Sequence, residues 1–459
     1  MLLDGVPGQA AAAGAEGLFL ENTAQSDALI AGSEGNPAWA ATGFGHSPEA
    51  GTQDDYDELF KEAKRAGLMI GGEILPASTG MGPDFILGTL GVRDYPGLYV
   101  MAELSPLSWK ELPEIPDGGI ATLSPHQAEE LALKNILPPA LEQDLNKLTQ
   151  DSVGWGVTSA RTGVDGMVRR WAFRWHARPF LPVLNWQDPS GAARRVMEAS
   201  IIQQVGLLKQ SLAGIRAGAW AGLSARGAKE KHNALEPALA ALRELSASAH
   251  RYGASLLVHE PFPLEYLPAL AEAGVDFICD SRLPQALDES IKSQSALPVR
   301  EVLNVFFRTG ADPARLWHTA GYGRQKRLRL AVLCCIPGLI MLSNEDLADD
   351  RHDAELSPPA GKNGVLHNSE LKKLAAIRTQ FDLPRARLCH LSDDAPPNIL
   401  HFATDLPDGR TLLFTGSFSG TGSSNLDSIG SAPGCKPVLS GEEAGSAWGW
   451  RIQVCPPHS

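Results

Sequence analysis

Polar side chains follow several of the short apolar runs in this 459-residue chain. Runs of this kind are typical of buried strands, and the carboxyl end of a parallel strand is where such sheets place their chemistry. Two carboxyl groups facing each other there can serve as acid, base or nucleophile. The residues at these ends are Glu73, Arg216 with Gly218, His259 with Glu260, Asp280, and Glu345 with Asp346.

Alternating helices and strands must position these residues. "TQDDYDELFKEAKRAG" begins with Thr52 and Asp55 in capping-box spacing, has helical apolar spacing and ends at Gly67. The apolar run "LMIGGEILP" follows it as a strand. The same unit recurs: the helix "RRVMEASIIQQVGLLKQSLAG" precedes the strand "IRAGAW", and further helices precede "ASLLVHEP", "VDFICD" and "PGLIMLSNED". This alternation predicts a parallel sheet, and the number of units predicts a closed barrel.

Two segments interrupt the alternation and define the predicted domains. Residues 80–183 are rich in Pro, Gly and aromatic residues, and residues 386–459 carry Gly/Ser-rich turns between strand-like runs. We therefore expect residues 1–79 and 184–385 to form the two parts of the barrel. Residues 80–183 form an insertion after a barrel strand, and residues 386–459 form an all-β domain.

Composition excludes some classes of protein. The formal net charge of −13 argues against nucleic acid or an anionic membrane as a partner. No apolar run reaches the roughly 18 residues of a spanning helix, and the first residues lack the basic start of a secretory signal. The six cysteines are scattered without a CxxC pair, which favours buried free thiols over a metal site or disulfides. We expect a cytoplasmic protein without metal or cofactor.

The order of these segments resembles glycoside hydrolase family thirteen, the α-amylase family. The resemblance rests on "CCIPGLIMLSNED", on "PVLNWQDPSGAARRVM" and on "GTQDDYDELFKEAKRAGLMIGGEILP". It implies a (β/α)8 TIM barrel with a long insertion after the third strand and a C-terminal β-sandwich. Within the family, "GVRDYPGLY" and "TGVDGMVRRWAFRW" are most similar to trehalose-synthase and α-glucosidase members.

The resemblance assigns catalytic positions on two strands. The family's Gly-x-Arg-x-Asp segment corresponds to Gly214–Gly218, so the arginine is kept as Arg216 and the nucleophile position holds Gly218. The general-acid glutamate corresponds to Glu260. Retaining hydrolysis of a glycoside needs two carboxyl groups, and here the second is missing.

Two further family motifs also lack their residues. The Asp-x-x-x-Asn-His motif of the third strand corresponds to Glu73, Ala77 and Ser78. The His-Asp pair of the seventh strand falls on Gly310 and Ala311. We therefore predict a catalytically impaired barrel that keeps sugar binding or a scaffold role, with Glu73, Arg216, Trp220 and Asp280 at the substrate-binding positions.

An active α-glucoside hydrolase or transglycosylase on a maltose- or trehalose-type substrate is the alternative. It requires Asp280 or Glu73 to face Glu260 at the distance of a nucleophile. An enzyme of another class on a barrel scaffold is the third alternative and ranks last, because the sequence has no GxGxxG after a strand, no P-loop and no HExxH.

The retained residues also have structural interpretations. Glu260 can form a buried ion pair with Arg216 instead of acting as an acid, and His259 should point to the opposite side of the strand. Asp280 lines the pocket or holds a loop, whereas Glu345 and Asp346 cap a turn. Trp220 can fill the emptied sugar subsite. The insertion's Trp155, Trp171, Trp175 and Trp186 fit core packing better than stacking on sugars.

The beginning of the chain departs from the family. Met1 falls within the segment that corresponds to the first barrel helix, so we expect the first barrel strand to be missing. The expected ligand is an α-glucoside or oligosaccharide, and association with an active relative is the expected protein partnership.

Overall fold

A computed structural model describes most of the chain. The described residues are 6–12, 14–20, 42–43, 51–137, 153–176, 181–207, 212–215, 231–259, 267–280, 282–309, 316–319, 325–342, 369–392, 394–420, 434–441 and 448–457. The strands are β1 Gly17–Leu20, β2 Met69–Ile74, β3 Met101–Leu104, β4 Ile120–Thr122, β5 Val153–Thr158, β6 Arg161–Thr162, β7 Val168–His176, β8 Leu212–Ile215, β9 Ser255–His259, β10 Phe277–Asp280, β11 Leu316–Thr319, β12 Leu339–Met341, β13 Arg387–Leu391, β14 Ile399–Asp405, β15 Thr411–Ser417, β16 Lys436–Gly441 and β17 Trp450–Cys455. The α-helices are α1 Val6–Ala12, α2 Gln53–Arg65, α3 Pro83–Thr89, α4 Tyr95–Leu98, α5 Pro125–Leu133, α6 Ala192–Ile201, α7 Lys231–Arg251, α8 Leu267–Glu272, α9 Arg282–Ser293, α10 Leu297–Thr309, α11 Lys326–Cys335 and α12 Ser369–Gln380.

The main sheet is parallel, as the alternation predicted. Within the described residues it has seven strands in the order β1-β2-β8-β9-β10-β11-β12, and every neighbouring pair is parallel. Helices stand between successive strands in the chain, the arrangement that parallel connections require. In this part of the chain β1 and β12 are the two ends of the sheet.

Helix α2 shows how local sequence sets these elements. The Thr52 hydroxyl accepts a hydrogen bond from the backbone N–H of Asp55, and the Asp55 carboxylate accepts one from the backbone N–H of Thr52. Gly67 follows the helix at φ +73°, a conformation that favours glycine. Tyr56 and Leu59 face the core, so the predicted boundaries and buried face of this helix are confirmed.

One face of the main sheet packs against the helices around it. Ile70 packs against the cluster that α1 and α2 form, and Ile74, Leu256 and Val258 pack into the neighbouring core with α6 and α7. Because side chains alternate along a strand, Glu73 lies on the opposite face of β2 from Ile70 and Ile74.

A second, antiparallel sheet lies between β2 and β8 in the chain. Its order is β3-β7-β5-β4, and the short β6 pairs with β7. Gly156 stands opposite Phe173, whose ring occupies the place where a side chain on Gly156 would lie: a Cβ there would be 2.3 Å from Phe173 Cζ. The ring therefore covers the strand directly, which requires glycine at this position.

A third sheet, also antiparallel, ends the chain. Its order is β13-β14-β15-β17-β16, and its apolar face packs on α10 and α11 through residues such as Phe402, Phe414 and Ile452. The C-terminal part is thus a β-sheet region, as predicted. In the described residues it is one sheet and not the two layers of a β-sandwich.

Two strand predictions need correction. The predicted strand "IRAGAW" begins earlier than helical periodicity suggested: helix α6 ends at Ile201, a π-helical segment covers Ile202–Leu207, and β8 already includes Leu212. The last five residues of "IRAGAW" lie outside the described residues. The run "VFFRT" before Gly310 ends helix α10 and is not a strand. The next described strand after α10 is β11, the sixth of the seven strands of the main sheet, with four described residues.

The cysteine prediction is correct in part. Cys334 and Cys335 are buried free thiols and Cys389 is a half-buried one, but Cys435 and Cys455 form a disulfide. Antiparallel pairing of β16 with β17 brings these two together, which the scattered spacing did not indicate. Among the described helices, none has both the length and the apolar character of a membrane span.

Candidate site at the carboxyl ends of the parallel strands

The strand register aligns the carboxyl ends of the central strands. Glu73 of β2 pairs with Gly214 of β8, Gly214 pairs with Leu257 of β9, and Leu257 pairs with Phe277 of β10. Parallel strands end at the same edge of a sheet, so the residues that follow these strands share that edge. In sequence, Arg216 follows β8 and Glu260 follows β9.

The structure describes only some of the predicted site residues. Arg216, Gly218, Trp220 and Glu260 lie outside the described residues, as do Glu345 and Asp346. Asp280 is the last residue of β10, and its backbone pairs with His318 of β11.

Glu73 is half-buried near the end of β2. Its backbone carbonyl accepts a hydrogen bond from the side-chain amide of Gln204, which lies in the π-helical segment that leads to β8. This contact ties the end of β2 to the segment before β8. π-Helical segments often mark functional sites in helices.

Ala77 and Ser78 stand where the resemblance places an amide and an imidazole. Ala77 is fully buried in a core cluster, and its carbonyl accepts from the backbone N–H of Leu184 at 2.8 Å. Ser78 is buried and forms a β-bridge with Val183. Neither residue offers the long hydrogen-bonding side chain that grips a sugar.

The segments "DYPGLY" and "PVLNWQDPSG", which carried part of the resemblance, meet beside this edge. The backbone N–H of Asn185 donates to the carbonyl of Leu98 at 2.8 Å, and Arg195 forms an ion pair with Asp94. A Cβ on Gly97 would lie 2.7 Å from Asp188 Oδ1. The insertion is thus fixed to the segment before the fourth strand.

A buried polar group lies at the same junction, and sequence analysis missed it. The hydroxyls of Thr79 and Tyr99 share a hydrogen bond of 2.9 Å. Burial raises the pKa of the Tyr99 hydroxyl, against the lowering effect of Thr79, and the charge of Asp84 raises it further. Burial also raises the pKa of Asp84. No sequence signal could reveal this group, because separate elements bring it together.

The described tryptophans of the insertion serve packing. Trp155 and Trp171 are buried, and the Trp171 indole N–H donates to the carbonyl of Thr89 at 2.9 Å. Trp186 is partly buried and donates to the carbonyl of Pro76 at 2.6 Å. These contacts favour the core interpretation over stacking on a sugar.

No cluster of three or more His, Cys, Asp or Glu side chains suited to a metal ion occurs in the described part of the chain.

The solved structures that resemble this chain share one fold. No protein-family model and no curated protein matches the sequence. Among solved structures, the α-amylase from H. orenii has a TM-score of 0.60 and 12% identity, covering 99% of this chain and 92% of that chain. The trehalose-6-phosphate hydrolase from Bacillus licheniformis has a TM-score of 0.60 and 10% identity, covering 98% and 93%.

An inactive double mutant of MutB, a trehalulose synthase, in complex with isomaltulose gives a TM-score of 0.63 at 12% identity, with 99% of this chain and 94% of that chain covered. At such identities the likeness shows the fold alone. Over almost its whole length, this chain has the fold of the α-amylase family, glycoside hydrolase family thirteen, as its motifs predicted.

Proposed function

We propose that this chain is a carbohydrate-binding member of the α-amylase fold whose own glycosidase chemistry is impaired. The observation that carries the proposal combines strand bounds with sequence. The described part of strand β8 is Leu212–Ile215, and the next acidic residue in the chain is Glu230. A shift of alignment by a few residues therefore cannot supply the nucleophile that Gly218 replaces.

Strand β11 and the segment after it support the same conclusion. Strand β11 ends at Thr319, and no acidic residue occurs between it and Glu345. Gly310 and Ala311 lie outside the described residues and precede β11 in sequence. The described strand carries His318, followed by Thr319, so it has a histidine but no aspartate. Two of the family's three catalytic carboxylates thus have no counterpart.

Glu260 is the catalytic carboxylate that remains. Alone, it can protonate the oxygen of a leaving sugar, but no covalent glycosyl intermediate forms without a second carboxylate. With Arg216 it can instead form an ion pair that keeps the arginine satisfied. We propose that Arg216, Glu73, Asp280 and Trp220 keep a role in binding an α-glucoside or oligosaccharide. The isomaltulose complex of a neighbour of the same fold supports this ligand class.

Strand register favours one alternative, an active hydrolase that pairs Asp280 with Glu260. Cys279 of β10 pairs with His259 of β9, and Asp280 and Glu260 are the next residues in sequence. One more residue of β9 in the same register would set Glu260 beside Asp280. Neighbouring strands of a sheet lie about 5 Å apart, which matches the spacing of a retaining pair. Glu73 is less suited, because β8 separates β2 from β9 and leaves about 10 Å between their backbones.

The test measures turnover and binding together. The purified protein is incubated with maltose, trehalose, sucrose and a nitrophenyl α-glucoside, and binding of each sugar is measured by calorimetry. The proposal expects sugar binding without turnover. Turnover that disappears in both Glu260→Gln and Asp280→Asn, but not in the surface control Glu272→Gln, would establish the active hydrolase. Absence of binding to all these sugars would contradict the binding role and leave the scaffold role, which copurification with an active relative would test.

The cellular compartment in which the protein works is also a matter of proposal. The cytoplasm was expected partly from free thiols, and the Cys435–Cys455 disulfide weighs against it, because disulfides are rare in reducing compartments.

A further inference from the structure

The disulfide joins an edge strand to its only described neighbour. In the described residues β16 pairs with β17 alone, whereas β17 also pairs with β15. Lys436 pairs with Val454, so Cys435 and Cys455 come next on the two strands and face each other directly. Cys455 is anchored on its other side by pairing with Thr411.

Noncovalent contacts hold β16 weakly. Its register with β17 shifts between Pro437 and Leu439, which interrupts the ladder. Pro437 has no N–H to donate, and Lys436, Pro437 and Ser440 are exposed. Only Val438 and Leu439 pack against the core, and both are partly buried.

Strand β17 is held firmly in comparison. Trp450 and Ile452 are buried in the main core cluster, and β17 pairs with β15 from Thr411 to Gly416. Loss of the cross-link therefore leaves β17 in place, and β16 is the element that can leave.

We propose that Cys435 and Cys455 are a redox couple whose oxidised form fixes β16 on the C-terminal sheet and whose reduction releases that strand. Reduction breaks the S–S bond with two electrons and two protons from a dithiol, which itself becomes a disulfide, and yields two thiols. Oxidation by a disulfide donor reverses this. Release of β16 exposes the backbone hydrogen-bonding groups of β17 as a new sheet edge.

The other described cysteines do not compete for this exchange. Burial raises the pKa of the Cys334 thiol to about 11. Burial and a hydrogen bond with Asp405 raise the pKa of Cys389 to about 12. Thiols of such high pKa carry little thiolate at neutral pH, and the thiolate is the attacking species.

The test uses the full chain with and without dithiothreitol, followed by hydrogen exchange and mass spectrometry. In the protein oxidised with glutathione disulfide, a peptide pair should be cross-linked through Cys435 and Cys455. Reduction should speed exchange in residues 436–441 by about a hundredfold, the size expected for a cross-link closing a loop of this length. Exchange in β14 and β15 should not change.

Matched variants separate this couple from other thiols. Cys435→Ser with Cys455→Ser should exchange at the reduced rate without dithiothreitol and should not respond to it. Cys389→Ser should behave like the parent protein. If the double variant fails to fold, the dithiothreitol comparison on the parent protein decides alone.

Three results would overturn the proposal. These are free thiols at both positions after oxidation, unchanged exchange of residues 436–441 on reduction, and loss of protection throughout the C-terminal sheet. The last would mean that the disulfide holds the whole sheet together and not β16 specifically.

Discussion

Gly97 lies against the carboxylate of Asp188, and a Cβ at Gly97 would stand 2.7 Å from Asp188 Oδ1 and 2.9 Å from Oδ2. The two residues come from separate motifs, one in the insertion and one before the fourth barrel strand. Their contact fixes the insertion next to the edge where the candidate site lies. Neighbouring contacts, such as the ion pair of Arg195 with Asp94, add to the same junction.

Replacement of this glycine should loosen the junction. Gly97→Ala places a methyl group where Asp188 stands, so the loop must shift, and we expect a loss of about 1–3 kcal/mol in the free energy of unfolding. Denaturant unfolding followed by tryptophan fluorescence measures it. Gly8→Ala is the control, because nothing lies within 4 Å of the added Cβ. Equal stability of the two variants would contradict the contact.

The partly buried guanidinium of Arg378 should matter for stability. It donates to the carbonyls of Leu333 and Cys334 in the last turn of α11 and to those of Ile336 and Gly338, which lead from the helix to β12. Burial lowers the pKa of this arginine. Arg378→Met keeps the apolar stem and leaves these carbonyls without their donor, so we expect a loss of about 3 kcal/mol.

Replacement of the exposed Arg385 is the control for replacement of Arg378. Arg385 lies 3.6 Å from Asp382 in an ion pair whose arginine side chain is largely exposed. Exposed pairs contribute little, so Arg385→Met should change the free energy of unfolding by less than about 1 kcal/mol. Urea midpoints of both variants test this, and similar losses would show that the carbonyl contacts of Arg378 are not important.

The stability of the protein should depend on pH through Asp84. Because burial raises the pKa of Asp84 in the folded state, that state holds its proton more tightly than the unfolded chain. This contribution is present at low pH and is lost as pH rises from the ordinary value of 3.8 through the raised folded value. Asp84→Asn removes the titration, so its stability relative to the parent should rise between pH 3 and pH 7.

Urea unfolding at intervals of pH measures that difference. A difference between Asp84→Asn and the parent that stays constant across the range, or falls with pH, would show that the carboxyl is not destabilised in its ionised form.

Restoring the lost nucleophile alone should not restore turnover. Gly218→Asp supplies one carboxylate, but the sequence after β11 still lacks the family's second aspartate, with no acidic residue before Glu345. When catalytic groups act as one unit, removal of any one of them loses most of the rate enhancement that the unit provides. Release of nitrophenol from a nitrophenyl α-glucoside should therefore stay at the background rate.

The matched control for this variant is Gly218→Asn, which has the same shape without the charge. Turnover by Gly218→Asp well above that of Gly218→Asn would show that the rest of the site is functional and that Gly218 is the single defect.

Much of the fold could be predicted from local signals. The bounds of α2 follow from Thr52, Asp55 and Gly67, because capping and a left-handed glycine act within one turn. Helix α6 and strand β8 were harder, because helical periodicity continues past Ile201 while the structure becomes π-helical over Ile202–Leu207 and is already a strand at Leu212. Sequence analysis also missed helix α10, because the run "VFFRT" is too short to distinguish a strand from the end of a helix.

Part of the candidate site could likewise be predicted from the sequence, and part could not. The sequence by itself showed that no acidic residue lies between Ile215 and Glu230, whatever the fold. Only the tertiary structure decided which residues meet: Tyr99 with Thr79, and Cys435 with Cys455. The reason is physical, because residue types and short-range spacing act through the local backbone. Pairing register, burial and the pKa shifts that burial causes depend on segments that are distant in sequence.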